Sequence, residues 1–385
     1  MVPGLDRRRF LGVLGAGVGG AVLMSGGVAE AGPVFGPQAT TRPLFIGTYT
    51  DGSGAGKGIG VGTWDAASGA LTAKSVVSVS NPSFLALAPS QRFLYAVDEQ
   101  AGGKVTALSV SNGALKVLNS QSSKGDGPTH LCVTPDGKHV LAANYDSGSV
   151  VVLPVKADGS LGAATDVAQH KGSGPDPDRQ EGPHAHQVLP DCTGAYVHSV
   201  DLGTDTVYAY TVSSAGKLKL VHQAKVPAGQ GPRHLVFHPN GRFAYIANEL
   251  GNSVIVATYD ASSGLLTPGK PQTTLTAPPP SGVRNYPGEI IISADGRFVY
   301  LSNRGADNVA VFAVGDGGAS LKLLANTPVG KNPRHIGLDP TGSFLFSSNQ
   351  DSATVSSYSV DKAAGLLKAV GTPLKSPMPV MTLPL

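Results

Sequence analysis

Apolar positions along this chain fall into short runs rich in β-branched and aromatic residues, separated by Gly, Pro, Asn and Asp. The stretch GPRHLVFHPNGRFAYIANEL, residues 231–250, shows the unit. Two apolar runs, HLVFHP and RFAYIAN, flank Pro239-Asn240-Gly241. Pro presets φ, and Asn and Gly tolerate positive φ, so the three residues predict a tight turn. The flanking runs then form an antiparallel hairpin, which sets the start of one strand beside the end of the next. Arg233 and His234 are thereby expected at the same end of the hairpin as Glu249.

The unit recurs. Related stretches begin at Asn81, Gly127, Gly182, Tyr286 and Asn332, with leading prolines Pro82, Pro128, Pro183, Pro232, Pro287 and Pro333 spaced by 46 to 55 residues. Five of the six copies carry a second Pro seven residues on; the copy at Tyr286 has Ala294 there. Each copy continues into a third apolar strand, such as NSVIVATYD or NVAVFAV, and a weaker fourth. A period near 50 residues built from about four strands is the mark of a propeller blade. No helical periodicity supplies the crossovers of a parallel sheet. The ends hold a further copy in two pieces. SPMPVMTLP, with Pro377 and Pro384, matches a first strand, and LFIGTYT with KGIGVGTWD matches a second and third. Closing the ring through such a blade removes open sheet edges. The fold expected is all-β, a seven-bladed β-propeller closed by a split N-/C-terminal blade.

The N-terminus has a different character. Arg7-Arg8-Arg9-Phe10-Leu11, a Gly/Ala-rich apolar run and Ala29-Glu30-Ala31 follow the order of an export signal, and the arginines match the twin-arginine type apart from Asp6. Residues 1–31 therefore read as a cleaved signal peptide, 32–43 as a disordered lead-in and 44–385 as the propeller. The location expected is extracellular or periplasmic, as a monomer without stable membrane insertion after cleavage. Net charge is only +3 with 14% charged residues, and no basic stripe points to nucleic acid. Cys132 and Cys192 are too few for a disulfide framework and read as free small hydrophobes.

Titratable residues concentrate at predicted strand ends on one face. His130, His184, His186, Arg233, His234, Glu289, Arg334 and His335 follow the leading prolines. Glu99, Asn144, Asp201, Asn248, Glu249, Asn303, Arg304 and Asn349 end the second strands. The repeated His130, His234 and His335 and the repeated Asn can simply fix blade geometry. His186, Arg233, Glu249 and Arg304 do not recur in every blade, so they are the sharper candidates. Two long connections, HKGSGPDPDRQEGPH and TLTAPPPSGVRNYPGE, enter the same face. The His184/His186 pair has chelating spacing but lacks a third ligand, so no metal is expected. GSGAGKGIG lacks the phosphate-loop spacing, and no G-x-S-x-G nucleophile elbow is present.

FIGTYT with KGIGV, EGPHAHQ, VDLGTDTVYAY, GPRHLVFHPNGRFAYIANEL, YPGEIIIS with DGRFVYLSNRG, and NPRHIGLDPTG together resemble the seven-bladed lactonase family. That family includes propeller-type 6-phosphogluconolactonases and 3-carboxy-cis,cis-muconate lactonizing enzymes. The resemblance spans about residues 44–385. It implies hydrolysis of a sugar-type or anionic lactone without cofactor. It also implies a catalytic group of His184 or His186 with Arg233 and Glu249, and anion binding by Arg304. His234, Glu289, Arg334 and His335 complete the expected substrate-binding set. Two other readings stay open: a muconate-type cycloisomerase, and a non-enzymatic exported propeller that binds a ligand or protein partner. The export signal sits poorly with a cytosolic sugar phosphate as substrate.

Overall fold

The computed structural model describes residues 40–279 and 281–385. The expected signal peptide and residues 32–39 of the expected lead-in lie outside the described residues. The described chain forms seven four-stranded antiparallel sheets. In six of them the strands follow chain order from one edge to the other. In the seventh, β28 (Pro379–Pro384) lies beside β1 (Thr41–Thr48), followed by β2 (Ile59–Asp65) and β3 (Leu71–Val77). Leu44 pairs with Pro384 and Gly47 with Met381. The split-blade closure is thus as expected. One boundary moves: Thr41–Pro43, read as lead-in, already pair with Thr63–Asp65.

The other first strands are β4 (Leu85–Leu87), β8 (Pro128–Val133), β12 (Ala185–Pro190), β16 (Pro232–Phe237), β20 (Tyr286–Ile292) and β24 (Pro333–Leu338). They pack side by side around the axis. Apolar layers fill the spaces between blades; one joins Tyr95, Val97 and Val105 to Leu131, Val140 and Val151. Second and third strands are buried on both faces, which explains their nearly continuous apolar runs. The outer strands face water, and β3 is largely exposed. The turn read at Pro239-Asn240-Gly241 is present: Gly241 has φ 69°, and its N–H donates to the His238 carbonyl at 2.9 Å.

One feature of the first strands decides where the site lies. Shortly after the strand start, the pairing register slips, leaving Thr129, His186, Arg233, Arg334 and Val380 opposite no partner. A bulge of this kind leaves a residue out of the ladder and re-aims its side chain. In β20 the slip falls between Pro287 and Ile290 and takes in Gly288 and Glu289. The ladder also corrects the sequence alignment of two copies. In the split blade Pro379, not Pro377, pairs with Thr48 at the position held by Pro232. Ala185, not Pro183, pairs with Asp201 as Pro232 pairs with Asn248. The Pro183/Pro190 match is therefore two residues early, and Cys192 occupies the turn position held elsewhere by Pro239.

Candidate active site

The bulges sort the inner residues into two tiers. Aligning the ladders places Ser83, Thr129, His186, Arg233, Gly288, Arg334 and Val380 in an upper ring. Phe84, His130, Gln187, His234, Glu289, His335 and Met381 form a lower one. The lower ring stitches blades together. His130 Nδ1 accepts from Val188 N–H at 3.4 Å, Gln187 Oε1 from Leu235 N–H at 2.7 Å, and His335 Nδ1 from Thr382 N–H at 3.4 Å. His234 Nδ1 lies 2.9 Å from Glu289 Oε1, and His335 Nε2 lies 3.7 Å from Glu289 Oε2. The repeated histidines thus have a structural task. The repeated asparagines do too; Asn144, for example, donates to the Ser123 carbonyl at 3.0 Å.

The upper ring opens into a cleft of about 160 Å³ that is continuous with solvent. His186, Glu249, Arg304 and Arg334 line it with Glu99, Tyr145 and Arg179. Arg233, His234, Glu289 and His335 line a smaller chamber next to it, sharing Glu99, Thr129 and Arg334 with the cleft.

Glu249, directly after β17 (Phe243–Asn248), is the hub. Its N–H donates to the Gly231 carbonyl at 2.8 Å, which locks it beside the start of β16. Its Oε1 accepts from Arg179 Nη2 at 2.7 Å. Its Oε2 accepts from Arg304 Nη2 at 2.5 Å, and Arg233 Nε stands 3.3 Å from the same oxygen. Arg304, at the end of β21 (Phe298–Arg304), is held further by the Tyr286 and Pro287 carbonyls at 3.2 and 3.1 Å. Gly288 makes room here: a Cβ on it would stand 2.6 Å from Ser302 Oγ and 3.4 Å from Arg304 Nε. Arg334 donates to Tyr49 Oη at 2.6 Å, and Tyr49 donates to Glu99 Oε1 at 2.9 Å.

The electrostatics follow from this packing. Burial works to raise the Glu249 carboxyl, but the guanidiniums of Arg304, Arg233 and Arg179 outweigh it and hold it well below the usual carboxylate range. Glu249 is therefore ionised at neutral pH, a fixed negative charge among three guanidiniums. Burial and the Arg304 guanidinium push Arg233 down to about 9, so it stays cationic at neutral pH. Its Nε is paired with Glu249, and its Nη1 is buried without a hydrogen-bond acceptor among the described residues. A buried cation with an unused donor is primed for an anion. His186 is held well below its ordinary 6.5 by burial and by Arg233, and is neutral. Its Nδ1 is sealed without a partner.

His184 and His186 part company. His184 Nδ1 lies 3.1 Å from the Tyr145 carbonyl and Nε2 lies 3.0 Å from Glu181 Oε1, so both its ring nitrogens are occupied away from the cleft. The bulge instead turns His186 into it. The residue that sequence reasoning missed is Arg179, hidden in the long connection ahead of β12. Tyr49 and Tyr145, which stand where another blade has Glu249, also went unselected. Their only signal was that shared repeat position.

The buried imidazoles give a pH prediction. Burial drives His130, His186 and His234 well below 6.5, and His335 and His198 to about 4. In the unfolded chain each takes up a proton below its ordinary value of about 6.5; in the folded chain each does so only at lower pH. Their contribution to stability is fully present above pH 6.5 and is lost as pH falls, by at most about 1.4 kcal/mol per histidine per pH unit. The urea midpoint is expected to drop steeply on going from about pH 7 to pH 5. A flat midpoint over that window contradicts the assigned burial.

Comparison with known proteins fits the same architecture. The family model described as "Lactonase, 7-bladed beta-propeller" matches residues 43–384. A 6-phosphogluconolactonase of Bacillus subtilis is 35% identical over 342 residues, 87% of this chain and 96% of that one. A 6-phosphogluconolactonase of Formosa agariphila is 32% identical, covering 84% and 94% of the two chains. Among solved structures, the periplasmic gluconolactonase of Pseudomonas aeruginosa superposes with a TM-score of 0.83 at 32% identity, covering 90% of this chain and 99% of that one. The chain belongs to the seven-bladed β-propeller lactonase family.

Proposed function

We propose that the protein hydrolyses a sugar lactone at the channel-mouth cleft. The observation that carries this is Arg233: a buried guanidinium paired through Nε with Glu249, its Nη1 without an acceptor among the described residues, beside the neutral imidazole of His186. The relatives' names support the reaction class. Water attacks the lactone carbonyl carbon and gives its proton to His186. The carbonyl π pair moves onto oxygen, where Arg233 stabilises the charge as it forms. Collapse of the intermediate breaks the acyl C–O bond, and His186 returns the proton to the ring oxygen, leaving an open hydroxy acid. Proton transfer of this kind contributes roughly 10²–10⁴-fold. Glu249 keeps the guanidiniums of Arg304, Arg233 and Arg179 together, and Arg304 and Arg334 draw an anionic substrate group.

Turnover in heavy-oxygen water tests the reading. Hydrolysis by carbonyl attack places the label in the product carboxylate. A cycloisomerase incorporates no solvent oxygen, and that result overturns the proposal.

We also propose that Arg7-Arg8-Arg9-Phe10-Leu11 and the apolar run after it act as a twin-arginine-type signal, with export and cleavage near Gly32. No helix of the described residues is long and apolar enough to cross a membrane, and one similar solved structure is named periplasmic. Changing Arg7 and Arg8 to Lys is expected to leave the protein inside the cell, as read by fractionation. Exported protein that still begins at Met1 contradicts cleavage.

A further inference from the structure

Arg179 belongs to no blade. It sits in the connection between β11 (Asp166–Gln169) and β12, and fixed contacts give that connection one path. The Gln180 side chain is fully buried; its Nε2 donates to the Leu202 carbonyl at 2.8 Å, and its Oε1 accepts from Asp176 N–H at 3.3 Å. At the start of the connection, His170 Nδ1 lies 2.6 Å from Asp201 Oδ2, both side chains fully buried. Asp201 Oδ1 also accepts from the His184 and Thr204 N–H groups at 3.0 and 2.9 Å. The same anchor thus holds both ends of the connection, with Arg179 in its middle.

The cleft guanidiniums differ in what they have to offer. Arg304 is fixed by two carbonyls and Glu249, Arg334 is fixed on Tyr49, and Arg233 is buried. Arg179 is the exposed member, with 34% of its side chain accessible. Its two polar contacts, to Glu249 Oε1 and Tyr145 Oη, both use Nη2, so Nε and Nη1 remain available at the mouth. Arg179 is also the one held by a single carboxylate oxygen, Oε1, which Arg304 and Arg233 do not use.

We propose that Arg179 is a specificity-determining residue. It caps Glu249 while the cleft is empty and turns its free donors to the anionic substituent of an incoming lactone, a phosphate or carboxylate. This rests on the lactone-hydrolysis reading for its consequence, but the anion contact can be measured separately. Guanidinium and tetrahedral or planar oxyanions match in fork geometry, and the connection places this fork at the entrance.

The test has two arms. In the first, inorganic phosphate is titrated by calorimetry into the full mature protein and into R179Q and R179K. Phosphate affinity is expected to fall roughly tenfold or more in R179Q and less in R179K, because a charge-assisted contact is lost. Equal affinity in all three proteins overturns the proposal. In the second arm, kcat/KM is measured for glucono-δ-lactone and its phosphate ester. Both values are expected to fall in R179Q, the ester's by roughly tenfold more. A parallel fall with an unchanged ratio assigns Arg179 a merely structural role and overturns its part in specificity. If the wild-type protein opens no sugar lactone but phosphate binding still depends on Arg179, the reaction assignment fails while the anion contact stands.

Discussion

Glu249→Gln is expected to cut lactone turnover by roughly 10²-fold or more while the propeller stays folded. The side chain is nearly isosteric, and the N–H to Gly231 is untouched. What disappears is the negative charge shared by Arg179, Arg233 and Arg304. Three guanidiniums left without their counter-charge repel one another, and a buried charge that loses its partner costs about 3–5 kcal/mol. Arg233 then no longer points where the oxyanion forms. Because the Glu249 carboxyl stays ionised far below neutral pH, the acidic side of the variant's pH–rate profile keeps its shape and loses only height, while the alkaline side moves to lower pH as Arg233 loses the charge that raises it. Disappearance of the acidic limb of the profile assigns Glu249 a proton-transfer role instead. Unchanged turnover reduces the cluster to an ion-pair network without function.

Removing Pro379–Leu385 is expected to unfold the ring rather than trim it. Val380 and Met381 are each 4% exposed, and burying side chains of this size contributes roughly 1.5–3 kcal/mol apiece. The same segment accepts the Leu85 N–H on Met381 Sδ at 2.9 Å and gives the Thr382 N–H to His335. The Leu385 carbonyl accepts from Trp64 Nε1 at 3.2 Å. These contacts tie the split blade to both neighbours, and their loss approaches the roughly 5–15 kcal/mol that holds a domain together. It also leaves β1 as an open edge. Aggregated or protease-sensitive truncated protein is the expected result. A soluble truncation with an unchanged thermal midpoint contradicts the closure mechanism.

The blades were legible because each needs the same buried ladder, and the hairpin around Pro239-Asn240-Gly241 announced itself through turn chemistry. The split blade was readable for the same reason, since its two halves carry the same pattern. The bulges were not readable. They depend on which backbone groups pair, and only the ladder shows that His186 shares the position of Arg233 and Arg334, with Gln187 at that of His234 and His335. Copy alignment by proline failed at Pro183 because the connection ahead of β12 sets its own register through His170, Asp201 and Gln180. Arg179 escaped notice for a related reason: its partner lies 70 residues away, and nothing in a Gly/Pro-rich connection marks one Arg as aimed inward.

On the proposed mechanism, the chain opens a sugar lactone with the residues around Arg233 and His186. The most direct test is proton release at neutral pH from glucono-δ-lactone and its phosphate ester, with spontaneous ring opening subtracted, for the purified mature protein beside His186→Asn. Rapid protein-dependent release from at least one of the two lactones is expected, with a loss of roughly 10²-fold or more in the variant. Release no faster than the spontaneous rate, or a variant as active as the parent, contradicts that mechanism.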